Sequence, residues 1–168
     1  QPATPLAPTA TVVHPTCSVA TGSLQVTNAL PSYTYSINGI DYKSDPIFMN
    51  LASGIYSITA KNAAGCVSAT TQITVNDQPF TPFAPTASVV QPTCSVNTGS
   101  ILLTGTLSST DLYSVDGLNY QSNSTFTNLA PGTYGLTIKN SSGCVSSATT
   151  VVINAAPITP ISTQPILG

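Results

Sequence analysis

The chain writes one pattern twice. Pro15-Thr16-Cys17-Ser18-Val19-Ala20-Thr21-Gly22-Ser23 returns as Pro92-Thr93-Cys94-Ser95-Val96-Asn97-Thr98-Gly99-Ser100, 77 residues later. Tyr35-Ser36-Ile37-Asn38-Gly39 returns as Tyr113-Ser114-Val115-Asp116-Gly117, 78 residues later, and Gly65-Cys66-Val67-Ser68 as Gly143-Cys144-Val145-Ser146. Each copy must then be a structural unit of its own, and arrays of such units usually supply length, stiffness or many weak contacts instead of one catalytic pocket. The repeat is also an internal control. A residue needed for chemistry in one copy should reappear in the other.

The 168 residues divide into modules of about 75 residues, each able to bury only roughly 60–65% of its surface. Proline marks the joints: Pro2, Pro5 and Pro8, then Pro79, Pro82 and Pro85, then Pro157, Pro160 and Pro165. Proline every third residue favours an extended polyproline-II spacer at about 3.1 Å per residue. The expected organisation is a module over 8–78, a linker over 79–85 and a module over 86–156. Residues 157–168 are a further linker or the start of a next module. The chain begins mid-pattern at Gln1, as a processed protein or a piece of a longer one does.

Within a module the period is two. Leu24 and Val26 alternate with Ser23, Gln25 and Thr27; Tyr56, Ile58 and Ala60 alternate with Ser57, Thr59 and Lys61. That is the half-buried strand pattern. Strands are expected over 10–14, 22–28, 33–37, 40–43, 46–50, 55–61 and 67–75. Module two should repeat them over 87–91, 99–104, 111–115, 118–121, 124–128, 133–139 and 145–153. Asn38-Gly39 between Ile37 and Ile40, and Asp116-Gly117 after it, predict two-residue type I′ hairpins with φ > 0 at both central positions. The expected fold is all-β: two tandem antiparallel Ig-like β-sandwiches joined by a Pro-rich linker, with a barrel as the other architecture.

A core this small calls for a staple. The repeat assigns one cysteine pair to each module, Cys17 with Cys66 and Cys94 with Cys144. A disulfide closing a loop of about 50 residues gains about 4 kcal/mol in the chain-entropy model. It also implies an oxidising, extracellular or cell-surface location.

Charge narrows the function classes. Only Lys43, Lys61, Lys139 and five Asp are charged, whereas Ser and Thr together number 47. Such a surface has little long-range field, which argues against nucleic acid as a partner. No run approaches the ~20 apolar residues that span a bilayer. A net charge of −2 gives little self-repulsion, so side-by-side association is easy.

The residues that could carry chemistry have plainer readings. His14 is the only histidine and its counterpart is Gln91, which fits a surface polar residue. With one histidine there is no zinc set and no base for a thiol, so no metal, cofactor or catalytic residue is expected. Asp41 exchanges with Asn119, and Asp116 with Asn38; turn-capping explains this without calcium, for which no D-x-D-x-D run is present. Lys61 and Lys139 occupy one position, where an isopeptide crosslink competes with an outward Lys at a β-edge. Tyr35 and Tyr56 fall on the inward parity, and Tyr42 and Tyr120 follow the turns and are free to face outward. Asn38, Gly39 and Tyr42, with Asp116, Gly117 and Tyr120, are thus the candidate ligand-facing loops.

The pattern Pro-Thr-Cys-Ser-Val-x-Thr-Gly-Ser spans Pro15 to Ser23, and Tyr-Ser-Ile/Val-Asn/Asp-Gly-x-x-Tyr-x-Ser spans Tyr35 to Ser44. Phe-x-Asn-Leu-Ala-x-Gly-x-Tyr spans Phe48 to Tyr56, and Lys-Asn-x-x-Gly-Cys-Val-Ser spans Lys61 to Ser68. Together they resemble the tandem repeats of giant surface proteins of Bacteroidota, of the SprB gliding-adhesin type. The resemblance implies export to the cell surface, often by the type IX route, and a role as adhesin or filament stalk. The expected function is a non-enzymatic stalk giving length, stiffness and multivalent weak contacts. Its partners would be neighbouring repeats of the same chain or filament, with glycans or abiotic surfaces beyond them. The other readings are a carbohydrate- or surface-binding module, or a filament subunit that assembles by strand exchange.

Overall fold

Alternation becomes sheet because every second side chain has to leave water. The computed structural model describes residues 3–158. The first repeat forms β1 (Ala10–Val13), β2 (Gly22–Val26), β3 (Thr34–Ser36), β4 (Ile47–Leu51), β5 (Gly54–Lys61) and β6 (Thr71–Val75). The second forms β7 (Thr86–Val90), β8 (Gly99–Thr104), β9 (Leu112–Ser114), β10 (Thr125–Leu129), β11 (Gly132–Lys139) and β12 (Thr149–Ile153). All strand pairings are antiparallel, and the described residues contain no helix. The chain divides into two compact units, with the break between Phe80 and Thr81. Residues 76–85 carry no strand. Of the segment expected over 157–168, residues 159–168 lie outside the described residues.

Each unit consists of two three-stranded sheets, β1-β2-β4 with β3-β5-β6, and β7-β8-β10 with β9-β11-β12. That order is the Ig-like sandwich of A-B-E against C-F-G. The first core gathers Leu24 and Val26 from β2, Phe48 and Leu51 from β4, Tyr35 from β3, Ile58 and Ala60 from β5, and Val75 from β6. Ile101, Leu103, Tyr113, Leu136, Ile138 and Ile153 form the second. Burying each large aliphatic chain contributes about 1.5–3 kcal/mol.

Several expectations need correction. Phe48 and Leu51 are both buried although three residues apart, which strict alternation forbids. A bulge opposite Gly22 and Leu24, with Asn50 at φ 58°, turns the strand between them. Asn128, at φ 57°, repeats this in β10. The expected strands at 40–43 and 118–121 reduce to single bridges, Tyr35 with Lys43 and Tyr113 with Gln121. The type I′ hairpins are absent too. Gly39 and Gly117 have positive φ, whereas Asn38 and Asp116 do not, so each connection is a longer loop held by its own side chains. The strands expected over 67–75 and 145–153 begin only at Thr71 and Thr149, after isolated bridges at Val67 and Val145.

The expected disulfides Cys17–Cys66 and Cys94–Cys144 do not form. Cys66 and Cys94 are free thiols, and Cys17 and Cys144 are each disulfide-bonded. Geometry explains why neither unit can close its own pair. The Cys17 loop follows β1, whose end meets the Gly54/Val75 end of the β5–β6 pair: Asn76 N–H donates to His14 Nδ1 at 3.2 Å, and Gly54 pairs with Val75. Cys66 lies past the opposite end of β5, where Asn62 N–H donates to the Cys66 carbonyl at 3.1 Å. The eight residues of β5 hold the two ends roughly 23 Å apart at about 3.3 Å per step. A disulfide needs Cα atoms within about 7 Å. Unit two repeats the arrangement: Asn154 N–H donates to Gln91 Oε1 at 2.8 Å beside the Cys94 loop, and Cys144 lies beyond Lys139.

Candidate functional site

The loop from Ser36 to Lys43 is built around one amide. Asn38 Oδ1 accepts from Ser36 Oγ, Ile40 N–H and Asp41 N–H, each at 2.9 Å. Asn38 Nδ2 then donates to Asp41 Oδ2 at 2.8 Å. Ser36 is fully buried and accepts from Gly39 N–H at 2.9 Å, which requires the positive φ of Gly39. Local side-chain hydrogen bonds of this kind compete with strand pairing. They are the reason the sequence Tyr-Ser-Ile-Asn-Gly makes a capped loop instead of a tight hairpin.

Behind the loop, Ile37, Asn38, Asp41, Tyr42, Lys43 and Phe48 line a cleft of about 360 Å³. Tyr42, whose place after the turn left it free to face outward, is half-buried. Its hydroxyl shares a hydrogen bond of 2.9 Å with Thr59 Oγ1, and the Lys61 ammonium sits 4.0 Å from its ring centroid. Lys61 therefore neither projects freely from a sheet edge nor approaches an acid; it covers the aromatic face. Lys43 lies 4.3 Å from the Phe48 ring centroid and donates to the Ile47 carbonyl. Its ion pair with Asp45, at 3.8 Å and exposed, is worth at most about 1 kcal/mol.

Unit two repeats the loop with donor and acceptor exchanged. Asp116 Oδ1 accepts from Ser114 Oγ at 2.8 Å, Leu118 N–H at 2.9 Å and Asn119 N–H at 2.8 Å. Asn119 Nδ2 donates to Asp116 Oδ2 at 2.6 Å. The Asn119 side chain, then the backbone amides of Asn119 and Leu118 and the Ser114 hydroxyl, hold the Asp116 carboxyl well below the usual carboxylate range. Tyr120 meets Thr137 at 3.0 Å, and Lys139 lies 4.1 Å from its ring centroid. Gln121, in the place of Lys43, donates to the carbonyls of Asn123 at 2.8 Å and Thr125 at 3.0 Å. The candidate residues Asn38, Gly39 and Tyr42 thus come together in one loop, and Asp116, Gly117 and Tyr120 in its counterpart.

His14 holds strands together. Its Nδ1 accepts the Asn76 amide, the job Gln91 Oε1 does for Asn154. Among the described residues no three of His, Cys, Asp or Glu come together as a metal-binding group. No helix there is long and apolar enough to cross a membrane.

Two features lay outside the sequence reading. The first is the tyrosine at the β4–β5 corner: Tyr56 Oη donates to the Ala52 carbonyl at 2.9 Å, and Tyr134 to Ala130 at 2.8 Å. A tyrosine at this corner bonding a few residues upstream is a hallmark of Ig-like sandwiches. The repeated Leu-Ala-x-Gly-x-Tyr was its signal. The second is how the Pro-rich segments are tied down. Asn62 Nδ2 donates to the Ala3 carbonyl at 2.9 Å, Thr71 Oγ1 to Pro8 at 2.7 Å, and Gln78 Nε2 to Cys17 at 3.2 Å.

No protein-family model matches the chain, and no curated protein does. Among solved structures it is similar to the chicken CNTN1 FN1-FN3 domains, at 14% identity and TM-score 0.40, over 88% of this chain and 67% of that one. It is similar to the fibronectin(III)-like modules of Clostridium thermocellum CbhA, at 15% identity and TM-score 0.39, over 88% and 94%. It is also similar to the C-terminal fragment of intimin solved with the intimin-binding domain of its translocated receptor, at 10% identity and TM-score 0.45, over 88% and 63%. Likeness at this level is one of strand arrangement and says nothing of ligand or partner; the fold itself is an all-β, Ig-like sandwich.

Proposed function

We propose that this chain is a stalk segment of an extracellular adhesin or cell-surface filament, of the SprB-like repeat type, with no active site. The observation that carries this is the self-sufficiency of the repeated loops. Asn38 and Asp116 spend their acceptor oxygens on their own backbone, and Tyr42 and Tyr120 spend their hydroxyls on Thr59 and Thr137. Groups satisfied inside the module fix its shape, the requirement of a spacer. Side-chain bonds to Ala3, Pro8 and Cys17 stiffen the ends, and disulfide linkage at Cys17 and Cys144 suits an oxidising exterior.

Head-to-tail concatemers of two and four chains provide the test in negative-stain electron microscopy. Thin rods whose length doubles with the number of copies are expected; round particles that merely grow in diameter would refute the stalk.

A second reading is glycan binding in the cleft beside Tyr42 and Phe48, favoured by its apolar floor and the polar rim of Asn38 and Asp41. A glycan array on the intact chain decides it. Signals above background that vanish in Y42A support binding, and a blank array supports a pure spacer.

A further inference from the structure

We propose that Cys66 and Cys94 are linking thiols: Cys94 of one copy forms a disulfide with Cys66 of the copy that follows it, so that a series of chains is locked head to tail. The inference rests on the array reading only for the supply of further copies.

The repeat makes Cys94 the counterpart of Cys17, and Cys66 the counterpart of Cys144. Within its unit, each kind of position has a fixed end. Cys17 lies at the outgoing end, where Gln78 donates to its carbonyl at 3.2 Å. Cys66 lies at the incoming end, on the turn whose Asn62 donates to Ala3 at 2.9 Å. In unit two, Gln91 beside the Cys94 loop bonds the Val152 carbonyl and the Asn154 amide, again the outgoing end. One outgoing-end cysteine, Cys17, and one incoming-end cysteine, Cys144, are disulfide-bonded; one of each kind, Cys94 and Cys66, is free. Both positions are therefore already used for disulfides in this chain. The two still free are the incoming-end cysteine of unit one and the outgoing-end cysteine of unit two. Their loops are shaped as in the bonded counterparts: Thr93 N–H donates to Val96 at 2.8 Å as Thr16 does to Val19 at 2.9 Å. Asn62 Oδ1 accepts the Cys66 amide at 2.9 Å as Asn140 Oδ1 accepts that of Cys144. Cys94 is exposed and Cys66 half-buried, so both are open to attack.

The chemistry is thiol–disulfide exchange. One thiolate attacks a small-molecule disulfide and expels one small thiol. The second protein thiolate then attacks the mixed disulfide and expels the other. Two protein thiols lose two protons and two electrons, and one small disulfide becomes two thiols.

The test is the purified chain incubated with oxidised and reduced glutathione, read by non-reducing electrophoresis and by mass spectrometry of unreduced peptides. A ladder of multimers joined by Cys94–Cys66 bonds is expected. C66S and C94S alone should each stay monomeric, and their mixture should stop at a dimer. Unreduced peptides must show Cys17 and Cys144 still bonded in both variants, which establishes that they fold. A chain that stays monomeric, C66S or C94S protein that dimerises through like cysteines as readily as the parent forms its ladder, or native peptides linking Cys17 to Cys66 would each overturn the proposal. Rods without crosslinks would leave the stalk reading standing and this inference refuted; crosslinked chains that form no rods would do the reverse.

Discussion

Asn119 Nδ2 donates to Asp116 Oδ2 at 2.6 Å, and in the first unit the same two positions make the same bond backwards, from Asn38 to Asp41 at 2.8 Å. The pair has been exchanged whole. One amide and one carboxylate are kept, and which carries which is free. A single exchange should therefore cost and a double one should not. N38D alone sets two carboxylates against each other and should lower stability by about 1 kcal/mol, the scale of one lost hydrogen bond. Adding D41N should restore it. Urea titrations of the parent, N38D, D41N and the double variant complete this double-mutant cycle.

The Asp116 carboxyl titrates below its unfolded value because the native state supplies donors to its charged form. A depressed native pKa adds stability above the unfolded carboxylate value, and that stability is lost as pH falls toward the native one. Unit two should thus weaken below about pH 4, from this group among others. The counterpart in unit one, Asn38, cannot titrate. D116N should remove this component, so parent and variant converge on acidification. Thermal melts of both proteins between neutral and strongly acid pH test it; a constant gap would refute it.

Much of this was legible in the residues. Period two, the repeat and the Gly-rich turns specify the sandwich, because inward parity at Leu24, Val26, Ile58 and Ala60 holds along straight strands. Legibility fails where backbone geometry departs from the straight strand. Asn50 in a left-handed bulge lets Phe48 and Leu51 share one face, and no alternation rule anticipates that. Asn38-Gly39 resembles a tight turn, but the Ser36 hydroxyl and the Asn38 amide outcompete strand pairing. The cysteines failed for a different reason. Repeat logic counts one pair per module, yet it does not register that β5 keeps the two positions at opposite ends of the sandwich.

The corner tyrosines should be uniform in effect. Y56F and Y134F each delete one hydroxyl whose partner is a main-chain carbonyl, of Ala52 or Ala130, and leave the ring in place. Each should lower the stability of its unit by about 1 kcal/mol. Equal shifts in the two variants, measured by chemical denaturation, would show that the corner serves both units alike. A shift in one alone would break the equivalence.

Gly22 and Gly99 carry the sharpest steric prediction, and it does not depend on their backbone angles. A Cβ on Gly22 would lie 2.6 Å from the Val13 carbonyl oxygen and 2.7 Å from Val75 Cγ1. On Gly99 it would lie 2.6 Å from the Val90 oxygen and 2.9 Å from Ile153 Cγ2. The strand β2 enters the sandwich here between the end of β1 and the last strand of the other sheet, and the oxygen belongs to backbone that a rotamer change cannot move. G22A should therefore cost about 1–3 kcal/mol, as overpacking does. If the side-chain clash dominates, adding V75A should recover part of the loss; if the carbonyl dominates, V75A should only add a cavity cost. The carbonyl is the closer atom and the stiffer one, so the expected outcome of the pair, read from urea unfolding midpoints, is a double variant less stable than G22A.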